Sequence, residues 1–376
     1  MNKALEELIQ LASIPFNSAV MDYKKEGRKV IGFFCSYVPE EIIYAGGMLP
    51  YRIRPIGCTE TTSADAYMSH LNCTFARSCL EFMSRGVFDF LDGLVFANSC
   101  DNIRRLYDIL REKRPYPFTH FISIPHKAGS NGAINWYKDE VSNFKENIES
   151  FFGRRISEEA LKDAIDVHNQ TRSLLRELYE LRQVVNPPIT GAESLSVVLA
   201  ATTTLKDQYN RLLRKLLEEL KGREGISGYR ARLMVVGSEY DDPAYTKIIE
   251  DLGGLVVTDA LCFGSRYFWE PVITEGSLLG GLAKSYLNRP SCPRMSDRVT
   301  ERADFLREMA ERFKVDGVIF QKIRYCDLWG GESIYLEKRL KELNIPLLSI
   351  EREYRLSGVG QIKTRVQAFL ESIERA

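Results

Sequence analysis

An α/β fold is predicted, built as two doubly wound parallel-sheet lobes with a helical connecting segment, and three observations predict it. One pattern is written twice, as Asp92-Gly-Leu-Val-Phe-Ala-Asn-Ser-Cys100-Asp101 and as Asp316-Gly-Val-Ile-Phe-Gln-Lys-Ile-Arg-Tyr-Cys326-Asp327. In each copy an Asp-Gly turn feeds an apolar run with no helical period, and the run stops at a Cys-Asp pair before an amphipathic helix. A buried parallel strand that delivers a cysteine to its carboxyl end is spelled this way. Strand and helix signals also alternate on both sides of a central stretch that reads as long helices. Finally, 376 residues suffice for more than one domain. The boundaries are placed at 1–153 for the N-terminal α/β lobe, 154–228 for the helical segment and 229–376 for the C-terminal α/β lobe.

In chain order, residues 2–13 read as an amphipathic helix and Lys29–Cys35 as the first strand. Pro39 suits the first position of a helix with Glu40 and Glu41 in its first turn, closed by Gly46-Gly47. Leu49–Ile53 is a second short strand, followed by an irregular, hydroxyl-rich stretch, Cys58–Asp65. A helix then starts near Cys73 and runs to Met83; the positive end of its dipole favours a thiolate there. Cys79 lies six residues on, about 240° around the helix, too far to share a metal ion with Cys73. The strand ending at Cys100 is followed by helix Asn102–Arg111, strand Phe118–Ile124 and a helix over 133–152.

Ser157-Glu-Glu-Ala opens the helical segment with N-cap signals, and Asn186-Pro-Pro188 breaks it. His168 falls on the apolar stripe of that first helix and reads as a core or boundary residue. Gly222–Gly228 is a hinge, after which come strand Arg232–Gly237, the segment Pro243–Leu252 and strand Leu255–Thr258. A long irregular segment containing Asn288–Met295 precedes helix 297–313, the strand that ends at Cys326, the strand Pro346–Ile350 and a last helix Gly360–Ile373.

Equal numbers of acidic and basic residues, 51 of each, argue against a nucleic acid or an anionic membrane as the main partner. No run reaches the roughly 18 apolar residues of a membrane span. The acid-bearing first helix is neither a secretory signal nor a transit peptide, so a cytoplasmic protein is expected. The eight cysteines, at 35, 58, 73, 79, 100, 262, 292 and 326, contain no Cys-x-x-Cys pair. Compact zinc-ribbon and ferredoxin spacings are thereby excluded, and any metal site is assembled by tertiary folding. Any one of these cysteines also fits the plainer role of a small buried hydrophobe.

Cys73, Cys100 and Cys326 each sit at a strand end or helix start and together sample both lobes. Because open sheets place ligands at the carboxyl ends of strands, the lobes would face a shared crevice. Three thiolates fit a [4Fe–4S] cluster with one open iron, a Lewis acid for a substrate oxygen. Zinc on three cysteines is the alternative, although no histidine adjoins any of them in sequence. Asp101 and Asp327 are candidates to cap the helices that follow.

Several stretches resemble one family, the 2-hydroxyacyl-CoA dehydratase and benzoyl-CoA reductase superfamily, in its smaller iron–sulfur (beta/C-type) component. They are Tyr37-Val-Pro-Glu-Glu-Ile-Ile-Tyr-Ala-Gly-Gly-Met-Leu-Pro50, Cys73-Thr-Phe-Ala-Arg-Ser-Cys-Leu80, Phe88–Val95, Ser99-Cys-Asp-Asn-Ile-Arg-Arg-Leu-Tyr107, Tyr325-Cys-Asp327 and the ending Glu351–Phe369. The resemblance covers nearly the whole chain and implies that Cys73, Cys100 and Cys326 hold a [4Fe–4S] cluster. It further implies an oxygen-sensitive enzyme of anaerobic metabolism that reduces an acyl-CoA thioester by one electron at low potential. The electron would come from an ATP-dependent iron–sulfur activator, and a homologous larger iron–sulfur subunit would complete a heterodimer. Reduction of an aromatic ring, as in benzoyl-CoA reductase, is slightly preferred over dehydration of a 2-hydroxyacyl-CoA. Ser36, Tyr37 and Ser99 are candidate catalytic donors to the thioester oxygen, beside ordinary turn and cap roles. Arg52, Arg54, Arg104, Arg105 and Lys322 are candidate contacts for CoA phosphates, beside the role of solvated surface charge.

The resemblance leaves two other outcomes open. Relatives of the superfamily hold a double-cubane [8Fe–9S] cluster on additional cysteines, act as homodimers and reduce small molecules; Cys35, Cys262 and Cys292 are the additional cysteines here, although those relatives group theirs closely in the second lobe and Cys262 and Cys292 are far apart. A purely structural or electron-relay cluster in a non-catalytic interaction protein is the other.

Overall fold

The computed structural model describes residues 3–375. Residue 2, placed in the first helix by the sequence, lies outside them. The N-terminal part runs α1 (Lys3–Ser13), α2 (Ser18–Lys25), β1 (Val30–Phe33), α3 (Glu40–Ala45), β2 (Leu49–Arg52), α4 (Thr62–Asp65), α5 (Thr74–Ser84), β3 (Gly93–Ala97), α6 (Asp101–Lys113), β4 (Phe118–Ile122) and α7 (Asn131–Phe152). Three helices follow, α8 (Glu158–Glu180), α9 (Gly191–Ala201) and α10 (Lys206–Lys221). The C-terminal part is β5 (Ala231–Gly237), α11 (Pro243–Glu250), β6 (Gly254–Ala260), α12 (Ser265–Phe268), α13 (Leu278–Asn288), α14 (Val299–Arg312), β7 (Gly317–Ile323), α15 (Asp327–Glu342), β8 (Leu347–Arg352) and α16 (Val359–Glu374).

Both sheets are parallel and share one topology, β2-β1-β3-β4 and β6-β5-β7-β8. In this arrangement the strand order reverses between β1 and β3, and again between β5 and β7. Those reversals open a crevice beyond the strands' carboxyl ends. Every residue of β1, β3, β5 and β6 is buried, as expected of parallel strands covered on both faces.

Three sequence expectations change in detail. Pro39 is the N-cap of α3, not its first helical residue, because its extended backbone angles keep it outside the helix. The strands stop short of the cysteines: β3 ends at Ala97 and β7 at Ile323. The segment expected to be irregular before residue 297 contains α12 and the eleven-residue α13, whose Gly-Gly pair hides its period and whose Ser277 cap accepts from Gly280 N.

The lobes are interlocked. Helix α1 packs Leu5, Leu8 and Leu11 into the core that contains α9, α10 and the second sheet. In the opposite sense, α13 places Leu282, Tyr286 and Leu287 in the core of the first sheet and α7. Among the described residues no helix is long and apolar enough to cross a membrane.

Candidate functional site

At the carboxyl ends of the two facing sheets lies a cavity of about 180 Å³, and six of the eight cysteines line it: Cys35, Cys73, Cys100, Cys262, Cys292 and Cys326. Three come from each lobe. The cysteines left out, Cys58 and Cys79, are buried elsewhere.

Cys73, Cys100 and Cys326 share one local construction. Each is the N-cap of a helix, of α5, α6 and α15 respectively, with an extended backbone. Each carbonyl accepts the first intrahelical bond, from Arg77 N at 3.2 Å, Arg104 N at 3.1 Å and Gly330 N at 2.8 Å. The amides of Ala76, Ile103 and Trp329 face the three thiols and favour their anions, although none closes a full capping bond. Three positive helix ends therefore converge on one cavity, an arrangement that suits an anionic occupant. Asp101 and Asp327 are not the caps, as the sequence suggested; they are the first helical residues, because the cysteines occupy the cap positions.

Asn102 ties the trio together. Its Oδ1 accepts from Cys73 N at 3.0 Å and its Nδ2 donates to Tyr325 O at 3.5 Å, the carbonyl just before Cys326. Tyr325 itself adopts a left-handed φ of 65°, rare for a side-chain-bearing residue, and that turn carries Cys326 to the cavity.

Cys35, Cys262 and Cys292 are held differently, by arginines that grip their loops. Arg52 Nη1 donates to Cys262 O at 2.5 Å, Arg302 Nη1 to Cys292 O at 3.2 Å, and Arg289 to Ser36 O beside Cys35. Arg294 reaches from the C-terminal lobe to Pro125 O and Ile124 O, both at 2.9 Å. Electrostatic coupling follows the same grouping. Cys100 feels Cys73 and Cys326, whereas Cys35 and Cys262 feel Cys292, with Cys326 and Cys292 linking the two groups.

Burial dominates the titration of these thiols. It pushes Cys73 and Cys262 up to about 12 and raises Cys35, Cys100 and Cys326 as well. At Cys73 desolvation thus outweighs the helix dipole that was expected to favour the thiolate. A bound cation would reverse that balance.

The family model for "2-hydroxyglutaryl-CoA dehydratase, D-component" matches residues 35–373. The chain belongs to the D-component family. One relative is a subunit of the benzoyl-CoA reductase of Thauera aromatica, 27% identical over 352 residues that cover 92% of this chain and 91% of the relative. The (R)-phenyllactyl-CoA dehydratase beta subunit of Clostridium sporogenes is 25% identical over 99% of both chains. The beta subunit of (R)-2-hydroxyglutaryl-CoA dehydratase of Acidaminococcus fermentans (strain ATCC 25085 / DSM 20731 / CCUG 9996 / CIP 106432 / VR4) is 26% identical, covering 98% of this chain and 99% of the relative. An enzymatic role within the dehydratase and benzoyl-CoA reductase superfamily follows from these matches.

In this D-component chain no three His, Cys, Asp or Glu side chains among the described residues stand close enough to hold a single metal ion. A lone zinc needs its sulfurs at about 2.3 Å from one centre. A polynuclear cluster instead takes one thiolate per iron and accepts a wider set, so the donors fit iron–sulfur chemistry better than zinc. Ser36, Tyr37 and Ser99 all line the cavity. Burial lifts the Tyr37 phenol to about 12, so it is a neutral donor near pH 7, and its oxygen accepts from Cys292 N at 3.4 Å. Ser99 Oγ is turned back toward Ala97 O, at 3.5 Å.

Arg52 and Arg54 are not surface charges: each is 1% exposed and donates to interior carbonyls, and Arg52 lines the cavity. Arg104 and Arg105 are exposed, Arg105 in an ion pair with Asp101 at 2.9 Å, and Lys322 pairs with Glu351 at 2.7 Å. His168 is a core residue as expected, its Nδ1 2.6 Å from Ala164 O. Residues that sequence reasoning did not single out also line the cavity: Glu239, 3.7 Å from the Cys262 sulfur, and the arginines Arg266 and Arg294. Charged residues in strand-end loops or a four-residue helix carry no periodic signal, so only the tertiary fold reveals them.

Proposed function

We propose that this chain binds an iron–sulfur cluster between its lobes and serves a low-potential, one-electron reductive reaction driven by an ATP-dependent iron–sulfur activator. The observation that carries the reading is six thiols, three per lobe, on one cavity. When bound, the cluster would supply a low-potential electron and, at an iron without a cysteine ligand, a Lewis acid. The chain's own contribution is to set the thiolates on helix N-termini and arginine-held loops, to bury them from water, and to aim the neutral Tyr37 hydroxyl at the substrate region, with Ser36 and Ser99 beside it.

Two forms of this function differ in how many cysteines are used. In the first, Cys73, Cys100 and Cys326 hold one [4Fe–4S] cluster, and the chain acts with a homologous larger iron–sulfur subunit on an acyl-CoA. Ring reduction and 2-hydroxyacyl-CoA dehydration both lie within this form, as the names of the relatives suggest. In the second, all six cysteines hold a double-cubane [8Fe–9S] cluster in a homodimer that reduces small molecules. The six-thiol cavity favours the second form. The interior placement of Arg54, away from the cavity, argues the same way, since it removes one of five candidate contacts for CoA phosphates.

The test is turnover by anaerobic protein with a reduced activator and ATP. Reduction of small multiply bonded molecules by this chain and its activator, with no second subunit, is the expected result; activity only on an acyl-CoA thioester, and only with a second subunit added, would favour the first form. A Cys100→Ser variant that keeps its fold but loses turnover would exclude a non-catalytic interaction role.

A further inference from the structure

Charge is distributed unevenly around the six thiols. Three buried arginines stand against the Cys35, Cys262 and Cys292 side: Arg52, Arg266 and Arg294 all line the cavity. No carboxylate pairs with any of the three among the described residues. The thiols of Cys35 and Cys262 feel these guanidiniums, Arg294 and Arg52 in the first case and Arg52 and Arg266 in the second. On the Cys73, Cys100 and Cys326 side the charged residues lining the cavity are carboxylates, Asp101 and Asp327, with Glu239 facing both sides.

Arg266 is the least satisfied of the three arginines. Arg52 and Arg294 are committed to backbone carbonyls at 2.5–2.9 Å. Arg266, 5% exposed, has only one long bond, from Nη1 to Ser291 O at 3.4 Å, and its Nε, like those of Arg52 and Arg294, has no partner. Its guanidinium lies over the Trp329 ring, 5.5 Å from the centroid, and Trp329 also lines the cavity. A buried cation with unused donors and no ion-pair contact, only the more distant charge of Glu239, is costly unless something anionic meets it. Each side of the site has two part-exposed thiols, Cys35 and Cys292 on one and Cys100 and Cys326 on the other; Cys326 also borders an open groove with Tyr325, which is 39% exposed.

We infer that Arg266 is a positioning and charge-compensating residue for a cluster spanning all six thiols, and that it holds the Cys35, Cys262 and Cys292 side at a higher reduction potential than the Cys73, Cys100 and Cys326 side. A fixed positive charge stabilises the more reduced, more negative state of the iron nearest it. An electron arriving at the Cys326 edge, beside the open groove, is then drawn toward the arginine side. The inference rests on the six-thiol form of the proposed function.

Anaerobically purified or reconstituted protein, with iron measured first, is titrated potentiometrically and followed by electron paramagnetic resonance. Wild type should hold about eight irons and show two reductive transitions. Arg266→Gln should lower the higher-potential transition and leave the lower one and the iron content unchanged, while Arg266→Lys should keep wild-type potentials. Should Arg266→Gln lose iron, retention of iron and of both transitions by Arg266→Lys supports the inference, since charge separates the two variants. Equal shifts of both transitions, no shift in a loaded Gln variant, or loss of iron from both variants overturns it. About four irons in wild type removes the six-thiol form and the inference together, a failure visible before any potential is read.

Discussion

At the scale of single residues the site is a set of backbone positions as much as a set of sulfurs. Cys73, Cys100 and Cys326 are caps, and Asn102 fastens their loops by accepting from Cys73 N and donating to Tyr325 O. Asn102→Ala leaves the buried Cys73 amide without a partner, which costs about 1–3 kcal/mol. Urea unfolding should register that loss together with a lower iron content, whereas Asn102→Asp, which still accepts, should keep most of the stability. Cys100 and Cys326 are legible in the sequence because an apolar run that stops at Cys-Asp is a local pattern, and Cys73 because a helix start follows it. Cys35, Cys262 and Cys292 are legible only as additional cysteines, for they are joined by loops and arginines far apart in the chain. The role of Arg52 is hidden for the same reason: nothing local distinguishes a surface arginine from one that reaches the Cys262 carbonyl in the other lobe.

Among the elements, the joint between β5 and β7 is the most exacting. Gly237 ends β5 at φ 142°, and a Cβ there would sit 1.7 Å from Gln321 O on β7. Gly237→Ala should therefore destabilise the fold by about 3 kcal/mol or more, measured by denaturant unfolding, and disturb Ser238 and Glu239, which lead into the cavity. Helix α3 carries a second constraint. Glu41 pairs with Arg172 at 2.5 Å and accepts from Tyr286 at 2.6 Å, and Glu40 pairs with Lys206 at 3.1 Å, all deep in the core. Arg172 and Tyr286 hold the Glu41 carboxyl down at about 2 despite its burial, while burial depresses His168 to about 4. Both shifts point the same way: an unfolded His168 binds a proton from about pH 6.5 and an unfolded Glu41 from about 4.3. Stability should be full above about pH 6.5, fall first as His168 resists protonation down to about 4, and fall further as pH drops toward 2. His168→Gln should flatten the first stage in a pH series of unfolding free energies. Glu41→Gln should cost about 3–5 kcal/mol, because it strands the Arg172 charge. The Pro and acids of α3 reveal it in the sequence, but α13 is hidden by Gly280-Gly281, which no helical propensity supports.

For the whole molecule, the two-lobed α/β architecture is readable from strand-helix alternation, while the exchange of helices between the cores is not. Packing of α1 into the second core and α13 into the first arises from contacts that no local window contains. The exchange has a functional consequence. Lobes that hold each other's helices, and that are cross-linked by Arg52, Arg54, Arg294 and Asp297, keep three thiols on each wall of a shared cavity in fixed relation. Such preorganisation suits a cofactor whose ligands must all be met at once. Whether both trios serve one centre is decided by iron and acid-labile sulfide per chain. The proteins to compare are anaerobically purified wild type and a variant with Cys35, Cys262 and Cys292 all changed to Ser. A single six-thiol centre requires about eight irons in the wild type and about half as many or fewer in the variant. About four irons in both proteins would refute it and leave the Cys73, Cys100 and Cys326 trio as the whole site.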